Sequence, residues 1–251
     1  MNNKKIVIAN WKMNPSSLEE AIRFARNLNN QKLPSNVGLI VAPPFVYLES
    51  IKKNLNREIK LAAQNISWGE RGALTGEISG LMLKNVGCEY VIIGHSERRY
   101  KIGETNEMIN LKIKAAFKSG LTPILVVGER EQNDDIVRAL NSQISSALED
   151  IGPLEVGQLI FTYEPVWAIG TGLADNSNHA LSAALLIRKI VGNLYTQDWA
   201  ADLPVLYGGS VTSENAGDFI NQTGISGTLV GGASLEIDEF LGIIRVAGGD
   251  A

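Results

Sequence analysis

Eight short apolar runs, rich in β-branched residues, recur along this chain at a spacing of roughly 30 residues, the length of one strand-plus-helix unit. They fall at 5–9, 38–42, 60–63, 90–93, 123–127, 159–163, 205–207 and 228–230. Their near-continuous apolar character predicts strands buried on both faces. Between them, segments such as 18–28, 109–118, 136–148, 180–194 and 214–220 repeat apolar residues at three and four positions, as amphipathic helices do. No Pro/Ser-rich linker or charge block interrupts the pattern, so residues 1–251 are expected to form one domain. Two architectures accept such an alternation. An open doubly wound sheet carries a glycine-rich fingerprint after an early strand; here the first strand runs into N-W-K-M-N. The fold class predicted is therefore α/β, a single (β/α)₈ barrel.

In such a barrel the chemistry sits at the carboxyl ends of the strands. The first strand ends at Asn10 with Lys12 beyond it, the third at Gln64 and Asn65, and the fourth runs into G-H-S-E-R-R with His95 and Glu97. The sixth ends at Glu164 in Y-E-P-V-W-A-I-G-T-G, and the last two end in Y-G-G-S and V-G-G-A-S. Residues that merely faced solvent would scatter through the repeats. Glu164 follows a buried strand and precedes Pro165, which fixes a backbone dihedral, while Gly170 and Gly172 allow a hinged segment after it. A desolvated carboxylate is a base suited to neutral pH. Lys12 offers a fixed positive charge, and His95 opens a helix, where peptide dipoles disfavour an imidazolium. Glycine-rich turns expose N–H groups that bind an oxyanion without a basic patch. The other histidine, His179, reads as a satisfied structural group.

The formal charge of −4 argues against nucleic acid and anionic membranes as partners, which leaves a small molecule. One cysteine, Cys88, and two histidines provide no zinc-ligand spacing, so no metal is expected. The first apolar run is too short for a signal peptide and no other reaches membrane-spanning length. A cytoplasmic location follows as an expectation, with the sequons at Asn65 and Asn221 as chance matches.

N-W-K-M-N at 10–14, T-G-E-I-S at 75–79, I-I-G-H-S-E-R-R at 92–99, Y-E-P-V-W-A-I-G-T-G at 163–172, Y-G-G-S-V at 207–211 and L-V-G-G-A-S-L at 229–235 together span the chain. In kind and order they resemble the motifs of the triosephosphate isomerase family. The resemblance implies interconversion of dihydroxyacetone phosphate and D-glyceraldehyde 3-phosphate through an enediolate, in glycolysis and gluconeogenesis, without a cofactor. It implies Glu164 as base, neutral His95 as hydrogen-bond donor, Lys12 as charge stabiliser and Asn10 beside it. Glu97 either positions Lys12 or carries a proton. Substrate phosphate would meet Gly170, Ser210, Gly231 and Gly232, with Asn10 and Lys12 completing the binding set. Arg98 and Glu104 are expected to pair and brace loops.

The loop 69–77, G-E-R-G-A-L-T-G-E, is long for a strand-to-helix connection. It is similar to the family's loop that inserts into a neighbouring subunit, which implies a homodimer with Thr75 near Asn10 and Lys12 of the partner subunit. Three departures from the family's usual pattern stand out. L-A-D-N-S at 173–177 implies a different hinge, Val127 replaces a cysteine with a packing change only, and Thr228 replaces an aromatic residue. A non-catalytic barrel that binds a phosphorylated metabolite or a partner protein, and a barrel with different phosphosugar chemistry, remain as alternatives.

Overall fold

The computed structural model describes residues 4–168 and 175–249. Eight parallel strands close into a barrel in sequence order: β1 (Lys5–Asn10), β2 (Val37–Ala42), β3 (Lys60–Ala63), β4 (Tyr90–Ile93), β5 (Thr122–Val127), β6 (Ile160–Tyr163), β7 (Val205–Tyr207) and β8 (Gly227–Val230). Closure is made where Ile6 to Ala9 of β1 align with Gly227 to Val230 of β8. Gly227 has φ 148, and a Cβ there would lie 1.9 Å from the Ile6 carbonyl oxygen, so this seam admits only glycine.

The strands are apolar throughout because both faces are buried. Ile6, Ile8, Ile40, Ile92, Ile124 and Leu229 belong to the cluster that fills the lumen. Their neighbours Val7, Ala9, Leu39, Val41 and Val91 belong to the larger cluster under the helices. This period of two along each strand is what a pleated chain between two apolar layers requires.

The helices are α1 (Leu18–Asn29), α2 (Leu48–Asn54), α3 (Gly80–Asn85), α4 (Asn106–Lys118), α5 (Ile136–Ala147), α6 (Pro153–Val156), α7 (Ser177–Leu194), α8 (Gln197–Ala201), α9 (Ala216–Ile220) and α10 (Ile237–Gly248). Side-chain caps set several starts. Thr105 accepts the Met108 N–H and begins α4 three residues before the apolar pattern does, and Asn176 accepts the Asn178 N–H to begin α7. The expected helix over 214–220 begins only at Ala216. Thr212 and Asn215 exchange hydrogen bonds across that first turn, Thr212 N–H to Asn215 Oδ1 at 2.8 Å and Asn215 N–H to Thr212 Oγ1 at 3.3 Å.

Two of the three departures are resolved by packing. Val127 is buried opposite Tyr163 in the β5–β6 ladder, as a packing residue. Thr228 is wholly buried, and its hydroxyl donates to the Tyr207 carbonyl across the β7–β8 seam at 2.9 Å.

Candidate active site

The carboxyl ends of β1, β4 and β6 bring Lys12, Glu97, His95 and Glu164 into one continuous line of polar contacts. Asn10 is the last residue of β1 and is buried; its Oδ1 accepts the Lys12 N–H at 3.1 Å. Lys12 stands at φ 53, a left-handed conformation that costs a residue with a Cβ about 1–2 kcal/mol. Gln64, just past β3, helps hold it there: its Nε2 donates to the carbonyls of Lys12 and Ala42, both at 2.8 Å. The Lys12 ammonium meets Glu97 Oε1 at 3.0 Å.

His95 follows β4 and opens a helical run whose wide turn over Arg98–Ile102 ends at Gly103, φ 84. Its carbonyl accepts the N–H groups of Arg98 and Arg99. The Glu97 N–H donates to His95 Nδ1 at 3.3 Å. Nδ1 is thus an acceptor, which places the proton of a neutral ring on Nε2. Nε2 lies 3.0 Å from Glu164 Oε1, yet among the described residues no acceptor is aligned with it. A buried donor without an aligned acceptor is costly to maintain and is free for an incoming oxygen.

Glu164 is 2% exposed, and its Oε2 accepts the Ser96 N–H at 3.0 Å. Burial pushes its carboxyl up, while a charged His95 and the hydrogen bond from Ser96 pull it below the ordinary carboxylate value. With the imidazole neutral, as the Glu97 contact requires, the Coulombic pull falls away and burial favours a strong base.

The backbone of Glu164 is gripped closely. Its N–H donates to the Val127 carbonyl at 2.8 Å, and its own carbonyl carbon and oxygen press on Gly128, where a Cβ would lie 1.9 Å from the oxygen. Beyond it, the buried Glu129 accepts from Tyr163 Oη (2.9 Å) and Trp167 Nε1 (2.7 Å) through one oxygen. On the far side of segment 169–174, Asp175 donates its N–H to Tyr207 Oη at 3.2 Å, and its carboxylate meets His179 Nδ1 at 2.8 Å. His179 is therefore a satisfied group, and the 173–177 departure resolves, at its described end, into an aspartate–histidine pair beside the site.

The anion-binding candidates lie on the β7 and β8 side. Ser210 Oγ donates to the Ala168 carbonyl at 2.8 Å, and a Cβ on Gly231 would touch Lys12 Cε at 3.3 Å, so that glycine borders the ammonium. Gly232 faces open space and begins a short 3₁₀ turn, Gly232–Leu235, whose leading N–H groups have no acceptor within the turn. Gly170 lies outside the described residues. Asn65 does not reach this cluster: it accepts from the buried Lys112 ammonium at 2.7 Å, which also binds Glu104, itself paired with Arg98 at 2.6 Å. Arg98 and Glu104 brace loops, as expected.

The strand-end rule that exposed Glu164 also applies to Glu129, in G-E after β5, but sequence reasoning passed over it. Gln143, whose amide bonds Gly128, offered no such signal because it sits within a helical pattern. A separate cavity of about 890 Å³ opens at the amino ends of the strands, where two lining cations are already committed: Lys5 to the Ile225 carbonyl and Arg188 to those of Leu203 and Gly224. Among the described residues, no cluster of His, Cys, Asp and Glu is arranged to hold a metal, and no helix is long and apolar enough to cross a membrane.

The sequence model of the triosephosphate isomerase family matches residues 5–247. The chain belongs to this family. Curated proteins named triosephosphate isomerase include one from Dehalococcoides mccartyi, 45% identical with 97% of both chains covered. Another, from Alkaliphilus oremlandii, is 42% identical over 96% of this chain and 99% of its own. A third, from Acetivibrio thermocellus, is 43% identical over 96% of this chain and 97% of its own. Family membership thus extends over the whole barrel, including every strand end that contributes to the site.

Proposed function

We propose that the protein is an aldose–ketose isomerase that interconverts dihydroxyacetone phosphate and D-glyceraldehyde 3-phosphate through an enediolate, in glycolysis and gluconeogenesis. The observation that carries the proposal is the convergence of a buried carboxylate, a neutral imidazole with a free Nε2–H and a lysine ammonium from three separate strand ends. Family membership supports the same reading.

Glu164 takes the proton from the carbon beside the carbonyl and returns it to the neighbouring carbon. To act, it gives up the Ser96 N–H, since a carboxylate without that donor is more basic. His95 gives its Nε2 proton to the carbonyl oxygen as the enediolate forms and takes one back from the neighbouring hydroxyl oxygen, so the two oxygens exchange carbonyl and hydroxyl character while the ring returns to its starting state. Lys12 stabilises the negative charge that develops there, held by the backbone bonds to Asn10 and Gln64. Glu97 is the residue that positions Lys12; its other contact, the N–H to His95 Nδ1, sets the imidazole tautomer. Ser210, Gly231 and Gly232, with Gly170 from the segment after β6, are assigned to the phosphate. The reaction moves a proton between adjacent carbons with no net redox change, so the assignment calls for no cofactor.

The same proposal includes a homodimer. Met13, Val46, Leu74 and Met82 are exposed apolar residues that follow the consecutive ends of β1, β2 and β3. Such a rim is what a partner surface covers. The loop 69–77 belongs to it, with Thr75 directed to Asn10 and Lys12 of the partner subunit. A reducing cytoplasm suits the single buried thiol of Cys88, whose pKa burial pushes up to about 12.

The test is turnover of glyceraldehyde 3-phosphate by the purified wild-type protein, with dihydroxyacetone phosphate formation read by a coupled dehydrogenase. Absence of turnover ends the isomerase reading and leaves a binding barrel. Light scattering on the same sample reports the dimer.

A further inference from the structure

The ladder between β4 and β5 stops at Ile93 and Leu125, two residues before β5 ends and three before Gly128. In a parallel ladder, successive residues turn their polar groups to opposite neighbours. On the β6 side the edge beyond β5 is fully used: Val127 O accepts the Glu164 N–H at 2.8 Å, and Glu129 O accepts the Val166 N–H at 3.1 Å. On the β4 side the strand partner has run out. Side chains take its place there. Arg99 donates to Val126 O at 3.1 Å and to Gly94 O at 2.6 Å, and Gln143 of α5 occupies the next position.

The Gln143 amide makes a reciprocal pair with one residue. Gly128 N–H donates to Gln143 Oε1 at 3.0 Å, and Gln143 Nε2 donates to Gly128 O at 2.8 Å. Gln143 is buried, so both polar groups of Gly128 would be left without a partner in the interior if the amide were absent. The Gly128 peptide is thereby fixed with its polar groups turned to α5 and its bare Cα pressed against the Glu164 carbonyl.

We propose that Gln143 is a positioning residue for Glu164: its amide substitutes for the missing strand partner of Gly128 and so fixes where the carboxylate-bearing backbone lies. The inference rests on the proton-transfer reading of Glu164. Gln143 is remote from substrate and acts only through Gly128. Without it, Gly128 rotates to find other partners and the β5 edge that grips Glu164 and Val166 loosens. Displacement of the carboxylate relative to His95 and the reacting carbon follows. The phosphate candidates Ser210, Gly231 and Gly232 are on other strand ends and keep their places.

Two variants test this. Gln143→Met preserves length and removes both hydrogen bonds; Gln143→Glu keeps an acceptor for the Gly128 N–H but, once ionised, opposes the Gly128 carbonyl. For Gln143→Met, kcat falls by at least about tenfold, the scale set by sub-ångström misplacement of a reacting group. KM for glyceraldehyde 3-phosphate and inhibition by inorganic phosphate stay within about twofold on the same reasoning. Gln143→Glu approaches the wild-type kcat at low pH, where its carboxyl can donate to Gly128 O, and falls away as pH rises. In Gln143→Met the Glu164 carboxyl, followed by carbon NMR, titrates higher than in wild type because the Ser96 N–H loses its hold. That titration is read with or without turnover, so an inactive wild type would refute the isomerase reading while still deciding this one. Wild-type kcat in both variants, or an unmoved Glu164 titration in folded protein, overturns the proposal. So does a loss of activity that matches the loss of folded protein.

Discussion

Replacing Glu104 with glutamine isolates a buried ion cluster that supports the active-site rim. Glu104 Oε1 receives both Arg98 Nε, at 2.6 Å, and the Lys112 ammonium, which is 2% exposed and bound otherwise to Asn65 Oδ1. Glutamine keeps the volume and removes the charge, leaving two cations around a neutral amide. Breaking a buried pair on one side costs about 3–5 kcal/mol. An unfolding entropy near 2.1 cal/mol/K per residue makes that a drop in Tm of about 6–9 °C for a chain of this size. The sign with pH is also fixed. Burial holds Lys112 below its ordinary value despite Glu104, so between its folded and unfolded values the unfolded chain binds more protons and stability rises with pH. Losing Glu104 depresses Lys112 further. The variant's deficit is therefore largest at neutral pH and shrinks as pH climbs toward the value of free lysine. Thermal unfolding by circular dichroism at pH 7 and pH 9.5, at one protein concentration to hold any association fixed, measures both quantities. A deficit below about 1 °C, far under the buried-pair scale, or one that widens with pH, would show that the cluster does not carry the charge balance assigned to it.

Glu164→Asp withdraws the carboxylate by one methylene from its 3.0 Å approach to His95; kcat should fall about 10²-fold with KM little changed, by steady-state kinetics. Lys12→Met should lower kcat/KM by about 10²-fold or more, the scale for one preorganised electrostatic group, while Tm stays near wild type. Gln64→Ala frees the Lys12 carbonyl and lets the residue relax from φ 53, so KM should rise severalfold before kcat falls. Leu74→Lys places a charge on the exposed apolar rim and should convert dimer to monomer in light scattering; an unchanged dimer would move the interface elsewhere.

Strand positions were legible because burial on both faces leaves a plain apolar run: 60–63, 90–93 and 205–207 are the observed strands without change. Helix starts were less so, since Thr105 and Asn176 add turns ahead of the apolar pattern through a single side-chain bond. Within the site, residues on strand ends could be read from position in the repeat, which found Asn10, Lys12, His95 and Glu164 and would have found Glu129. Position alone misassigned Asn65, whose amide turns to Lys112. A residue that acts through a backbone contact left no trace: Gln143 holds Gly128 from a helix; His179 was read as a satisfied group, but its partner Asp175 was not, because the pair needs α7 to begin at Ser177. Motif likeness to the family named the site candidates, whereas the tautomer of His95 and the strain at Lys12 needed three-dimensional contacts.

The central claim is that Glu164 carries a proton between adjacent carbons. Isomerisation run in deuterium oxide, with the product analysed by NMR, tests it most directly. A carboxylate that exchanges with solvent during the enediolate's lifetime places deuterium on the carbon that receives the proton, and Glu164→Ala abolishes both the deuterium and the turnover. Product formed at wild-type rate with protium wholly retained, and still formed by Glu164→Ala, would mean hydrogen passes directly between the carbons and the account is wrong.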